Sequence, residues 1–295
     1  MPRKRDHLGL GMRIIRSSRA LATWGETLRR EGVRIGLVPT MGALHTGHRS
    51  LIRKARLSCD ALVVSLFVNP CQFGRGEDLS SYPRRLGADT ALCRNEGVDV
   101  LFMPSQGVMY PPGYRTSVSV REVTRRWEGE FRPTHFEGVA TIVTKLLCLV
   151  RPHHAFFGQK DYQQALVVRR LVEDLHLGTH LVMCPTVRER DGLAASSRNE
   201  HFSVRQRQAA PILYAALQAG HRAIQNGSRV ADRVRREMLK VLRTEPLARL
   251  DYLAVCDPQT LEPLTRINAQ AILLGAVRIG QVRLLDNLLV RAPRR

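Results

Sequence analysis

Short apolar runs rich in β-branched residues alternate with amphipathic helical stretches through the first two-thirds of this chain, and that alternation constrains its fold most tightly. Candidate strands lie at 34–39 (RIGLVP), 61–68 (ALVVSLFV), 98–103 (VDVLFM), 154–157 (HAFF) and 180–184 (HLVMC). Helical patterns fall between them at 48–59, 84–96, 138–151 and 161–176. In the third of these, Val139, Ile142, Val143, Leu146, Leu147 and Val150 sit at offsets of one helical face, and Arg151-Pro152 ends the pattern. Nearly continuous apolar strands alternating with helices imply a parallel sheet covered on both faces, a doubly wound α/β domain. Ligands of such sheets sit beyond the carboxyl ends of the strands.

After about residue 188 the character changes. Two helical stretches, 203–227 and 229–243, precede three strand candidates, LDYLAVCD, AILLGAV and VRLLDNLLV. The expected organisation is therefore a Rossmann-like domain over 1–188 and a smaller α+β domain over 189–295.

Composition narrows the function classes. No apolar run reaches the eighteen or so residues that cross a bilayer, and the basic N-terminus lacks the apolar core of an export signal. Six scattered cysteines without a C-x-x-C pair read as small core residues in a reducing cytoplasm, ahead of metal or disulfide roles. The formal charge of +20 raises a nucleic-acid role, but the basic residues are spread along the chain and carry no zinc-finger, K-homology or RNA-recognition signature. A solvated basic surface, with no specific nucleic acid and no membrane as partner, is the plainer expectation.

Four segments carry chemistry. In TMGALHTGH, Gly42 and Gly47 permit close backbone approach to a ligand, and His45 and His48 stand where a strand hands over to a helix. The helix start favours an anion, and imidazoles donate to phosphate oxygens, so a nucleoside triphosphate suits this place better than zinc. In FFGQKDYQQ, Lys160 offers a point charge for phosphate, Asp161 a carboxylate for magnesium or for a helix cap, and Gln163 and Gln164 their amides. In LAASSRNEHFS, Ser196, Ser197 and Arg198 form either a phosphate-closing loop or an ordinary serine-rich linker. In SLFVNPCQF, the amides of Asn69 and Gln72 either orient a small polar substrate or satisfy turn backbone.

Taken in order, VPTMGALHTGH, FVNPCQF, EDLSSYPR, RPTHFEGVATIVTKL, FFGQKDYQQ, PTVRERDGLAASSRN and RLLDN resemble the pantothenate synthetase (pantoate–β-alanine ligase) family, within the wider H-x-G-H nucleotidyltransferases. The resemblance runs from Val38 to Asn287. It implies ATP-dependent condensation of (R)-pantoate with β-alanine, giving pantothenate, AMP and pyrophosphate through a pantoyl adenylate, in the pathway to coenzyme A. It also implies a cytoplasmic homodimer whose smaller C-terminal domain closes over the nucleotide.

Residue by residue, the resemblance places Met41, Gly42, Ala43, Leu44, His45, Thr46, Gly47 and His48 in the ATP site, with both histidines at the phosphates and His48 as proton donor. Gly158, Gln159, Lys160, Asp161, Val187, Ala195, Ser196, Ser197 and Arg198 match the remaining nucleotide contacts, Lys160 and Arg198 neutralising phosphate charge. Gln72 and Gln164 match the substrate-holding glutamines, with Asn69 as a helper. Magnesium bridges phosphate oxygens, and Asp89 is the carboxylate expected to hold it.

The sequence departs from the family pattern at Ala195, where methionine is usual, at Gln159, where glutamate is usual, at Cys71 in a variable position and around Trp127. By the resemblance, family members begin near the equivalent of Met12, so residues 1–11 read either as a disordered extension or as a mis-called start. Two other readings stand beside this one. An H-x-G-H enzyme acting on a different acceptor has no need for both Gln72 and Gln164, and a nucleic-acid module on a degenerate fold has no need for an intact site.

Overall fold

The structure is a computed structural model that describes residues 11–74 and 76–293. Apart from Gly11, the expected N-terminal extension lies outside the described residues. The chain divides into two compact units, one running to Gly158 and including Gln164–Pro185, the other made of Gln159–Gln163 and Thr186 onward. Composition alone sets the boundary near 188. The structure also assigns the turn at 159–163 to the second unit, because its partners lie there: Tyr162 Oη donates to the Pro258 carbonyl at 2.8 Å.

In the first unit, β1 (Arg13–Ile15), β2 (Ile35–Thr40), β3 (Ala61–Leu66), β4 (Val100–Phe102), β5 (His154–Gly158) and β6 (His180–Cys184) form a sheet in the order β1-β4-β3-β2-β5-β6. Every pairing in it is parallel. The central strands are buried on both faces, and their alternation sorts the core into two layers. Ile35, Leu37, Val63, Phe102 and Phe157 face one layer with α1 (Ser18–Arg30) and α6 (His135–Val150). Val38, Leu62, Val64, Leu101 and Phe156 face the other with α2 (Thr46–Ser58), while α3 (Leu86–Asn95) adds Cys93 there. This is the doubly covered parallel sheet that the alternation predicts. Strand order reverses direction between β2 and β5, so the switch point lies at the ends of those two strands, where Met41 and Gly158 begin their loops.

The stripe read on α6 is buried throughout, each member contributing about 1.5–3 kcal/mol on full burial. Arg151 closes the helix in the left-handed conformation at φ 48°, ahead of Pro152. β1 and α1 carry little local signal: three residues give no period to detect, and the clearest sign is Ser17, whose hydroxyl caps α1 by accepting from Ala20 N. Two one-turn helices, α4 (Gln106–Met109) and α5 (Glu128–Phe131), precede α6, and α7 (Tyr162–Asp174) lies between β5 and β6.

The second unit contains α8 (Val204–Ala209), α9 (Ile212–Gln225), α10 (Ala231–Leu242) and an antiparallel sheet β7 (Ala248–Cys256), β8 (Gln270–Ile279) and β9 (Val282–Arg291). The stretch 203–227, read as one helix, is two. Pro211 lacks a donor and its ring clashes with the preceding turn, so α8 stops and α9 starts beyond it. Leu213, Leu217, Ile224, Val234 and Met238 pack on Leu253, Leu273 and Val277 of the sheet as a separate core.

All six cysteines are free thiols, and no disulfide forms. Cys59, Cys93, Cys184 and Cys256 are buried as expected, whereas Cys71 and Cys148 are exposed, which corrects their reading as core residues. No helix among the described residues is long and apolar enough to cross a membrane.

Candidate active site

The loop leaving β2 turns through Gly42 at φ +92° and Ala43 at φ +50°. The second value is costly for a residue with a side chain, so neighbours must hold it. Asp89, in the first turn of α3 and 3% exposed, does so: Oδ2 accepts from Ala43 N at 2.9 Å and Oδ1 from Leu44 N at 2.8 Å. Thr40 Oγ1 adds a third support, accepting from Gly42 N at 3.3 Å and donating to Ser65 O at 2.6 Å. Each oxygen of the buried Asp89 carboxylate is engaged by loop amides, and no group of three or more metal-ligating side chains occurs among the described residues. These bonds make Asp89 a shaper of the loop.

That loop delivers His45 and His48 to the start of α2. His45 is the N-cap, its Nδ1 accepting from Gly47 N at 3.1 Å, and His48 Nδ1 accepts from His45 N at 3.3 Å. This is a capping box made of imidazoles in place of the usual hydroxyl and carboxylate. With each Nδ1 accepting from a backbone N–H, the ring hydrogen free to donate stands on Nε2. The rings lie 4.1 Å apart, tilted by 47°. Two Nε2–H donors at a helix N-terminus make a site for an anion.

Beyond β3, Asn69 caps a short 3₁₀ turn, Pro70–Gln72. Asn69 is 1% exposed, and its Nδ2 donates to Gln72 Oε1 at 3.1 Å and to Gly138 O at 3.0 Å. Tyr110 Oη donates to its Oδ1 at 2.8 Å. Both amide hydrogens of Asn69 are thus engaged within the protein, one of them on Gln72. Gln72 Nε2 in turn lies 3.0 Å from Met41 Sδ, joining this turn to the β2 loop. Burial pushes the Tyr110 phenol well above its ordinary value, so it stays a donor. Lys145, on α6, lies over the rings of Tyr114 at 4.3 Å and Tyr110 at 5.3 Å, and burial lowers its ammonium from the usual lysine value. Gln164 is half-buried on α7.

Within the second unit, Asn287, 2% exposed, donates from Nδ2 to the carbonyls of Gln159 at 2.8 Å and Lys160 at 2.9 Å, fixing the turn that carries Lys160. Lys160 Nζ lies 3.5 Å from Asp161 Oδ1. Val187 O accepts from Ala195 N at 2.9 Å, and Ser196 Oγ caps the 3₁₀ turn Ser197–His201 by accepting from Arg198 N at 3.3 Å. Arg188 pairs with Asp286 through two hydrogen bonds, 2.5 and 2.9 Å, and its guanidinium lies 3.8 Å over the Tyr214 ring.

The first unit therefore gathers Met41–His48, Asn69 and Gln72, while the second gathers Gln159–Asp161, Val187 and Ala195–Arg198. Sequence reasoning gave no role to Tyr110, Arg188, Asp286 or Asn287, although the last three lie in the quoted motifs VRERDG and RLLDN. Their spacing of about a hundred positions hides the contacts from any local reading.

The pantoate-beta-alanine ligase family model matches residues 13–289 of the chain. A pantothenate synthetase of Heliobacterium modesticaldum is 48% identical over 279 residues, covering 95% of this chain and 99% of that protein. The crystal structure of a pantothenate synthetase from Thermus thermophilus superposes with a TM-score of 0.90 at 48% identity, over 94% of this chain and 99% of that one. A pantoate-beta-alanine ligase from Francisella tularensis, complexed with beta-gamma ATP and beta-alanine, gives a TM-score of 0.77 at 34% identity, over 94% and 97%.

Proposed function

Because this chain belongs to the pantoate–β-alanine ligase family, and so joins pantoate to β-alanine at the expense of ATP, we propose how its residues divide that work. The observation that carries the proposal is the imidazole capping box at the end of β2, next to the switch point of the sheet. The pantoate carboxylate attacks the α-phosphorus of ATP, and pyrophosphate leaves with the electron pair of the broken P–O bond. Negative charge grows on the α-phosphate and on the departing group, and the Nε2–H groups of His45 and His48 donate to it. His48 stands as the proton donor.

Gly42, Ala43, Leu44, Thr46 and Gly47 bring backbone to the nucleotide, with Met41 beside them. Gln72 and Gln164 hold pantoate, and Asn69 keeps Gln72 in place. By family likeness, Lys160 and Arg198 neutralise phosphate charge and Ser196 and Ser197 donate to it, with Gly158, Gln159, Asp161, Val187 and Ala195 as further nucleotide contacts. The β-alanine amine then attacks the acyl carbon of the pantoyl adenylate, loses a proton, and AMP departs.

Magnesium bound with ATP would neutralise phosphate charge, and Asp89, both of whose oxygens accept loop N–H groups, serves the loop in this scheme. Asp89→Asn replaces one acceptor with an NH₂ that faces a loop N–H, leaving a buried donor unsatisfied at about 1–3 kcal/mol. Its kcat/KM for ATP is expected to fall about tenfold, as such an energy implies. Half-saturation by magnesium stays at the wild-type value. A large shift in the magnesium titration, with ATP binding otherwise intact, returns Asp89 to the metal.

The test of the whole scheme is pantoate-dependent ATP–pyrophosphate exchange, followed by addition of β-alanine and detection of AMP and pantothenate. Exchange that does not depend on pantoate assigns the site to another acceptor. Family likeness further supports a cytoplasmic homodimer, whose dimeric state sedimentation of the purified chain checks. The +20 charge needs no specific nucleic acid, since any complex it drives is weak and salt-sensitive.

A further inference from the structure

The motif RPTHFEGV has no role in the scheme above, yet it encloses the turn that carries Gln72. Arg132 donates to Glu77, Nε to Oε1 at 2.8 Å and NH2 to Oε2 at 2.5 Å, with both side chains largely buried. Its NH1 lies 3.2 Å from His135 Nε2, and its NH2 lies 3.3 Å from the Gln72 carbonyl. His135 Nδ1 lies 2.9 Å from the same carbonyl, and the imidazole is buried.

These partners leave one proton arrangement. A guanidinium N–H only donates, so His135 Nε2 accepts, and a carbonyl oxygen only accepts, so His135 Nδ1 carries the hydrogen. A proton added at Nε2 would face the Arg132 charge; burial first, and that charge second, push the imidazole down to about 4. On Glu77, burial raises the carboxyl, but the Arg132 hydrogen bonds and charge outweigh it and hold it below the usual value, fixing the far end of the chain of contacts.

A second observation ties this array to Gln72. A Cβ at Gly138, in the first turn of α6, would come 2.3 Å from Cys71 O and 2.5 Å from Gln72 N, so only glycine allows the helix to lie against that turn. Asn69 Nδ2 donates to the Gly138 carbonyl from the other side. The Pro70–Gln72 backbone is thereby fixed by His135, Arg132 and Gly138 together.

We infer that His135 is a positioning residue for Gln72, locked as the neutral Nδ1–H tautomer between the Gln72 carbonyl and the Arg132 guanidinium. It touches no substrate; it sets where the Gln72 amide meets pantoate. The inference rests on the pantoate role of Gln72. Losing the bond frees the Gln72 carbonyl and shifts the amide, and displacements of about 1 Å cost as much as a hundredfold in rate.

The test compares His135→Ala with His135→Asn, whose Nδ2 stands where Nδ1 stood. His135→Ala is expected to lose about tenfold or more in kcat/KM for pantoate, with KM for ATP within about twofold, and His135→Asn to recover most of the loss. Equal losses for pantoate and ATP, or no recovery by asparagine, overturn the inference in favour of a general packing role. Gln72→Ala separates it from the reading it rests on. A pantoate-specific loss there but not in His135→Ala overturns the inference alone, whereas no such loss in either variant overturns the role of Gln72 as well. Should His135→Ala not fold, the long-range ¹H–¹⁵N spectrum of histidine-labelled wild-type protein at neutral pH decides. The resonance absent from His135→Asn shows the Nδ1–H pattern if the inference holds, and an Nε2–H or imidazolium pattern overturns it.

Discussion

Replacing His48 with alanine is expected to lower pantoate-dependent ATP–pyrophosphate exchange by about 10²–10³-fold, the range for removing one preorganised donor from a developing charge. The variant also loses half of a capping box, which costs about 0.5–2 kcal/mol of stability. Two further substitutions separate these effects. His48→Asn keeps an acceptor for His45 N but has no donor at the Nε2 position, so it retains stability and loses exchange. His48→Gln presents an amide hydrogen near the Nε2 position and is expected to recover part of the exchange. Near-normal turnover in His48→Ala, or full exchange in His48→Asn, would refute the assigned donor.

The second large effect is on stability. Arg188→Ala leaves the Asp286 carboxylate, 5% exposed, without its guanidinium, and it removes the plane stacked on Tyr214. Breaking a buried pair by removing one partner costs about 3–5 kcal/mol, because a charge is left in a poorly solvated place. Urea unfolding followed by far-ultraviolet circular dichroism should show the loss as a lower midpoint with an unchanged slope. Combining Arg188→Met with Asp286→Leu removes both charges and is expected to restore much of it. A cost below about 1 kcal/mol in Arg188→Ala would mean that the pair behaves like an exposed one.

The parallel sheet was legible because its determinants are local. The stripe from Val139 to Val150 and the apolar runs at 61–68 and 154–157 state their burial in their own spacing. The histidines were legible for the same reason, lying three positions apart beside glycines at a helix start. The bonds by which Asp89 holds the loop were not, since a carboxylate in a helical first turn looks alike whether it caps, binds metal or reaches 46 positions back to Ala43. His135 stands 63 positions from the carbonyl it holds, and Asn287 stands 128 from Gln159. Such contacts exist only once the fold has closed, and no period or motif grammar encodes them.

The distribution of thiols has a practical side. Burial pushes Cys59 up to about 11 and Cys93 to about 12, with Cys184 raised as well, so these sulfurs stay protonated and unreactive near neutrality. Cys71 and Cys148 stand exposed. Exchanging Cys148 for serine leaves Cys71 as the single exposed thiol among the six, one residue from Gln72. A fluorinated or fluorescent tag placed there reads the substrate-holding turn directly, without introducing a foreign cysteine into the chain.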